Sequence, residues 1–242
     1  QQYLTRFGFD KSRQPAVLPM ALGAGTVTPL QLAAAYSVFA NGGFRVTPYL
    51  IDHVTDSDGK TIMQAKPAQA GDESIRAIDP RVDYIMNNLL EGVATYGTGA
   101  RAHAVLKRTV AGKTGTTNDS MDAWFSGYTS GLEATAWLGY DQPKSLGARE
   151  TGGGVALPIW LGYMQETVKD LPMPTPRTKP DGVIEANNEL YLSDYPPGQS
   201  VASLGLGGNP QAAAAGAAAT PAQPDSLGDF LNNLAGSSKV GH

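Results

Sequence analysis

Between Arg108 and Tyr140 the sequence carries three β-prone segments in quick succession: Arg108 to Thr117, Ala123 to Ser130 and Leu132 to Tyr140. The last two are joined at Ser130-Gly131, a turn too short for a crossover, so they must run antiparallel. Trp124, Phe125, Tyr128, Trp137 and Tyr140 supply the bulk that such strands favour. Helical patterns flank this block on both sides, so the expected class is α+β, an antiparallel sheet packed with helices. With 242 residues, 41% of them hydrophobic, the chain is long enough to bury a core.

The helices announce themselves by their starts. Thr28-Pro29 is an N-cap followed by proline in the first turn. The helix it opens has Leu30, Ala33, Ala34, Ser37 and Val38 at core spacing and ends at Asn41-Gly42-Gly43. Asp79-Pro80 opens a second, to about Thr95, whose predicted buried face is Val82, Ile85, Met86, Leu89, Leu90 and Val93. Gly97-Thr98-Gly99 breaks it. A final helix is expected from about Val155 to Lys169, with Pro158 tolerated in its first turn. Gln1 to Phe9 reads as a helix end stopped by Gly8. Tyr49 to Thr55 and Thr61 to Gln64, around Asp56-Ser57-Asp58-Gly59, read as a hairpin.

Chemistry concentrates at the end of the first strand, in Gly112-Lys113-Thr114-Gly115-Thr116-Thr117. The glycines admit a close backbone approach. The lysine and the hydroxyls are donors suited to an anion. Three readings compete. A phosphate-binding P-loop needs a further glycine five positions before Gly112, where Lys107 stands, and a helix after Thr114, where Gly115 and a strand pair stand. An isolated edge lysine that discourages strand pairing would explain a lone Lys-Thr-Gly. The third reading is an anion-binding active-site edge, and the flanking segments must decide.

Other chemistries are excluded. The chain has no cysteine, hence no disulfide and no thiolate metal site. His53, His103 and His242 have no metal-ligand spacing, and no cofactor is expected. A net charge of −4 and a pI near 5.3 argue against a nucleic-acid surface. No apolar run is long enough to span a bilayer.

Six pieces, in order, resemble the C-terminal half of the transpeptidase domain of class A (bifunctional) penicillin-binding proteins. They are Ala21 to Leu30, Val38 to Gly43, Gly97-Thr98-Gly99, the lysine stretch, Asp122 to Tyr128, and Glu150-Thr151-Gly152-Gly153 through Pro158-Ile159-Trp160. The resemblance covers about residues 1 to 171. It implies a penicillin-binding-protein/serine β-lactamase-like fold whose N-terminal part is missing. The family carries three motifs, S-x-x-K, a Ser-Asp-Asn-type triplet and K-T-G, and only the third is present here. Ser57-Asp58-Gly59-Lys60 satisfies the spacing of the first but falls in a hairpin turn and is rejected as a decoy. The chain, which begins Gln1-Gln2-Tyr3, is therefore expected to be the C-terminal piece of a longer protein whose nucleophilic serine and base precede Gln1.

The resemblance implies a peptidoglycan D,D-transpeptidase that works through a serine acyl-enzyme on stem peptides ending in D-Ala-D-Ala and binds penicillin and other β-lactam antibiotics. In the longer protein it implies a glycosyltransferase domain and a membrane anchor upstream, on the periplasmic face of the bacterial inner membrane. A non-catalytic, penicillin-recognising sensor is the alternative. The implied site is Lys113, giving positive potential and bonding the triplet's serine; Thr114 and Thr116, whose hydroxyls hold the substrate carboxylate; the Thr116 N–H, an oxyanion donor; and Gly115, keeping the approach open. Asp122, Trp124 and Tyr128 are read as packing. The strand Leu132 to Tyr140 is expected to present a bare edge where the family pairs an N-terminal strand. Residues 172 to 242, rich in Pro, Ala and Gly, are expected to be a mostly disordered tail. Val183 to Tyr195 reads there as one extended segment. Leu227, Phe230, Leu231 and Leu234 mark a helix, either transient or binding a protein partner.

Overall fold

The computed structural model describes residues 1–198. Helix α1 (Pro29–Ala40) begins with a capping box, in which the Thr28 side chain accepts from the Gln31 N–H while the Gln31 side chain accepts from the Thr28 N–H. Helix α2 (Pro80–Thr95) is capped by Asp79. A short helix absent from the sequence reading, α3 (Arg101–Leu106), follows and is closed by Lys107 in the left-handed conformation. Helix α4 (Leu157–Thr167) grows out of one π-helical turn, Gly152–Ala156, capped by the Thr151 hydroxyl. Gln2–Phe7 is a 3₁₀ helix ended by left-handed Gly8.

The first two strands, β1 (His53–Thr55) and β2 (Thr61–Gln64), form the expected hairpin, with β1 shorter than predicted and all seven residues exposed. Ser57 to Lys60 lie in its turn, tied to Asp56, which accepts from the Asp58 and Lys60 N–H groups. No helix follows there, as the decoy reading requires. The central sheet is β3 (Ala111–Thr116), β4 (Asp122–Thr129) and β5 (Leu132–Gly139), antiparallel in the order β3-β4-β5. The α+β class and the antiparallel sheet packed with helices stand as read.

Register assigns the two faces. Phe125 and its row partners point toward α3 and α4, where Phe125 meets Trp160 edge-on at 4.9 Å and both are fully buried. The indole N–H of Trp160 donates to Ala134 O at 2.9 Å, fastening the helix to the sheet. On the opposite face Tyr128 packs with Ala111 and Leu90. Its hydroxyl donates to Asn87 Oδ1 at 2.6 Å, and Asn87 Nδ2 donates to Phe39 O and Asp83 O. One buried amide thereby joins β4, α2 and α1.

That network corrects the predicted face of α2. The buried stripe is Asp83, Asn87, Leu90 and Ala94, while Leu89 is 51% exposed. Hydrophobic periodicity misjudged the rotation because two of the positions turned inward are polar: Asn87 is satisfied by tertiary partners, and Asp83 faces Arg177 at 3.8 Å. In α1, Ala35 and Val38 are buried but Leu30 is 63% exposed.

The second correction concerns the tail. Val183 to Tyr195, set apart from the rest of the tail as one extended segment, is instead a hairpin. Strands β6 (Val183–Ala186) and β7 (Glu189–Leu192) pair antiparallel across Asn187-Asn188, both at positive φ (54° and 63°). Asparagine tolerates that conformation, and two such residues in sequence make the primed turn that hairpins favour. The Arg81 guanidinium of α2 donates to Asp194 at 3.0 Å, just after β7. Residues 199–242, including the predicted Leu227 to Leu234 helix, lie outside the described residues. Among the described residues no helix is long and apolar enough to cross a membrane.

Candidate active site

Strand β3 pairs with β4 along one edge, and among the described residues no strand pairs with the other. Lys113 is opposite Ser126, Thr114 opposite Phe125, Gly115 opposite Trp124 and Thr116 opposite Ala123. Directly opposed residues share a face. Lys113 and Gly115 therefore lie on the Ser126 side of the sheet, and Thr114 and Thr116 on the Phe125 side. The four predicted site residues, Lys113, Thr114, Gly115 and Thr116, lie along one free edge and reach it from both faces.

Lys113 is exposed and wraps that edge. Its ammonium donates to the Thr114 carbonyl at 2.8 Å and makes a longer contact of 3.5 Å with Thr114 Oγ1. Among the described residues no carboxylate forms an ion pair with it. The Thr114 hydroxyl lies 2.7 Å from that of Thr98. Thr116 Oγ1 accepts from the Gly152 N–H at 3.0 Å, which leaves its own O–H free to donate. Thr117 turns away from the site: its hydroxyl accepts from the Asp122 N–H at 2.7 Å, and its N–H donates to Asp122 O at 3.1 Å. Successive N–H groups of a strand point to opposite edges. Since that of Thr117 points toward Asp122, that of Thr116 points out along the free edge.

Two glycines are fixed by packing. A Cβ on Gly152 would sit 2.4 Å from both Gly115 O and Trp124 O, so the π-helical turn reaches the strand only because no side chain intervenes. A Cβ on Gly115 would approach Trp124 Cβ at 3.1 Å. Packing across the strand pair thus gives a reason for Gly115 that is independent of any ligand. Asp122, Trp124 and Tyr128 make packing contacts: Asp122 Oδ1 accepts from the Trp137 indole at 2.8 Å, the Trp124 and Trp137 rings pack at 5.9 Å, and Tyr128 bonds Asn87.

The sequence reading missed Thr98 and the contact of Gly152 with β3. Gly97-Thr98-Gly99 registered as a helix breaker and as one piece of the family pattern, without a role for its hydroxyl, although a hydroxyl flanked by two glycines was the available signal. Among the described residues no group of acidic, histidine or cysteine side chains is placed to hold a metal. The free edge thus offers an ammonium, two hydroxyls and an outward backbone N–H, donors of the kind an anion can accept from, on an edge that an extended chain can join.

Residues 2–161 match the family model described as the penicillin binding protein transpeptidase domain. Penicillin-binding protein 1A of Neisseria lactamica is 46% identical over 195 residues, 81% of this chain and 24% of its own length. That of Pseudomonas aeruginosa is 40% identical over 227 residues, covering 75% of this chain and 28% of its own. The chain thus spans about a quarter of the length of these relatives. Among solved structures, penicillin-binding protein 1A from Haemophilus influenzae superposes with a TM-score of 0.70 at 31% identity, over 76% of this chain and 32% of that one. The PonA1 protein from Mycobacterium tuberculosis in complex with penicillin V gives 0.53 at 26% identity, over 68% and 45%.

Proposed function

This chain belongs to the penicillin-binding protein transpeptidase domain family, and from that premise we propose that the free edge of β3 is the carboxylate-binding side of a peptidoglycan D,D-transpeptidase site. The observation that carries the reading is the convergence of Lys113, Thr114 and the outward Thr116 N–H on one unpaired strand edge. A stem peptide ending in D-Ala-D-Ala presents a C-terminal carboxylate, and a β-lactam presents its counterpart; the penicillin V complex of the similar PonA1 protein supports extending β-lactam binding to this chain. Charge-assisted hydrogen bonds from the ammonium and hydroxyls suit that group. An extended peptide adds to the edge as a further strand.

In the proposed reaction a serine Oγ, supplied by the preceding part of the longer protein, attacks the carbonyl between the two D-alanines. The bond to the terminal D-alanine breaks, the proton released by the serine passes to the departing amine, and an ester remains. The amine of a neighbouring stem then forms the cross-link amide and returns a proton to the serine. The oxyanion of each tetrahedral intermediate is met by the Thr116 N–H, and losing such a donor costs about 10²–10³ in turnover. Lys113 supplies positive potential beside the developing charge, and Gly115 leaves the edge approachable. The longer protein is proposed to carry a glycosyltransferase domain and membrane anchor and to act at the periplasmic face of the inner membrane.

The test is Lys113→Ala in the full-length protein. Acylation by a fluorescent penicillin should fall by about 100-fold or more, in keeping with loss of an electrostatic stabiliser, while the thermal midpoint stays within a degree or two of wild type. Acylation at the wild-type rate would leave Lys113 as an ordinary edge lysine.

A further inference from the structure

Helix α2 ends in a turn built from close backbone contacts. The N–H groups of Gly97 and Gly99 donate to Gly92 O and Val93 O at 3.1 and 3.0 Å. A Cβ on Gly97 would lie 2.8 Å from Val93 Cα, and one on Gly99 would lie 3.1 Å from the Phe125 ring. Thr98, between them, is the turn's one side chain, and its carbonyl is 3.0 Å from where a Cβ on Gly153 would be. The turn is therefore locked against both the core and the Gly152–Ala156 segment. From this support Thr98 Oγ1 reaches Thr114 Oγ1 at 2.7 Å, at an exposed place on the sheet.

Two hydroxyls joined by one hydrogen bond use one proton between them and keep one to offer. One of the two possible directions leaves that spare proton on Thr114. Lys113 carries only donors, and its ammonium lies 3.5 Å from Thr114 Oγ1, so a Thr114 lone pair faces the lysine. With the second lone pair accepting from Thr98, the remaining direction at Thr114 Oγ1 is its own O–H, aimed at the ligand. A hydroxyl that accepts becomes a better donor.

We propose that Thr98 is a positioning residue for this site: its hydroxyl donates to Thr114 Oγ1 and so fixes the rotor that presents the Thr114 proton to the substrate or β-lactam carboxylate. The inference rests on the carboxylate-binding reading of β3 and adds a residue from a different element to it. It concerns affinity for the carboxylate, not the chemistry of acyl transfer.

The experiment uses the full-length protein with Thr98→Val, Thr98→Ser and Thr114→Val, each titrated with penicillin G and with its methyl ester, which lacks the anion. Thr98→Val keeps the shape of the side chain and removes the hydroxyl, so the thermal midpoint should not move. Its second-order acylation constant with penicillin G should fall about tenfold, the scale of one hydrogen bond to a charged group. The loss should appear in the non-covalent binding constant and not in the limiting rate. Thr98→Ser should recover wild-type behaviour, and the methyl ester should acylate wild type and Thr98→Val equally. Equal losses with penicillin G and its ester, or a loss confined to the limiting rate, would assign Thr98 a purely structural role and overturn the proposal. If Thr98→Val matches wild type while Thr114→Val is impaired, the proposal fails and the carboxylate reading stands. If neither variant is impaired with penicillin G, that reading fails as well.

Discussion

Most of what distinguishes the lysine stretch from an ordinary strand end is decided one residue at a time. The sequence offers three threonine hydroxyls between Gly112 and Thr117, and the fold gives each a different office. Thr117 closes the turn onto Asp122, Thr116 takes the Gly152 N–H, and Thr114 meets Thr98. Gly152 is the residue on which that allocation depends, because its Cα stands against two carbonyls of the sheet. Gly152→Ala should push the π-helical turn off β3. It should cost about 1–3 kcal/mol, the usual price of overpacking, and lower penicillin acylation of the full-length protein at the same time. A calorimetric midpoint and a labelling time course, run on the same preparation, check it; a wild-type midpoint would mean the turn relaxes without consequence.

At the scale of elements, a buried polar line of Asp83, Asn87 and Tyr128 ties α2 to its neighbours. Asp83 is buried, one of its carboxylate oxygens has no hydrogen-bond partner, and Arg177 stands 3.8 Å from the other. Burial pushes its carboxyl up to about 6 from 3.8, against the opposing pull of Arg177 and Arg76. The folded protein therefore holds a proton that the unfolded chain releases. The stability this contributes is complete below about pH 3.8 and is lost as pH rises through about 6. Asp83→Asn should flatten the stability profile between pH 4 and 6 and leave the variant more stable at pH 7 by roughly 1–3 kcal/mol. Denaturant titrations across that range measure it; an unchanged slope would show that Asp83 stays ionised throughout. Tyr128→Phe strands the Asn87 carbonyl and should destabilise the protein by about 1–3 kcal/mol at any pH, read from the same titrations.

For the whole molecule the governing feature is the sheet's other margin. As read, β5 pairs only with β4, and among the described residues its outer edge has no strand. A groove of about 600 Å³ runs along it, with Leu30, Ile159 and Tyr163 each more than half exposed. Glu133 sits in the same groove, and burial pushes its carboxyl up to about 8. An unpaired, partly apolar edge invites association. Residues 1–242 produced alone should self-associate on size-exclusion chromatography and should not react with fluorescent penicillin, whereas a longer protein including the residues before Gln1 should label. Stoichiometric labelling of 1–242 would locate the nucleophile inside it.

The parts of this protein legible in its sequence are those fixed by neighbours along the chain. Thr28 and Asp79 start their helices because a side-chain oxygen and the next N–H groups are within reach of each other whatever the fold. Ser130-Gly131 forces β4 and β5 antiparallel because two residues cannot cross a sheet. The order of motif pieces around Lys113 identified the family, and it too is a property of the chain alone. Local signals missed one element that they do encode, the hairpin turned by Asn187-Asn188. What only the tertiary structure decided depends on groups brought together from a distance. It set the rotation of α2, where Asn87 is satisfied by a tyrosine 41 residues away. It also set the meeting of Thr98 with Thr114, 16 residues apart, on which the direction of one proton turns. Periodicity ranks side chains by polarity, but burial follows whether a partner is waiting, and that partner exists only once the sheet and helices have packed.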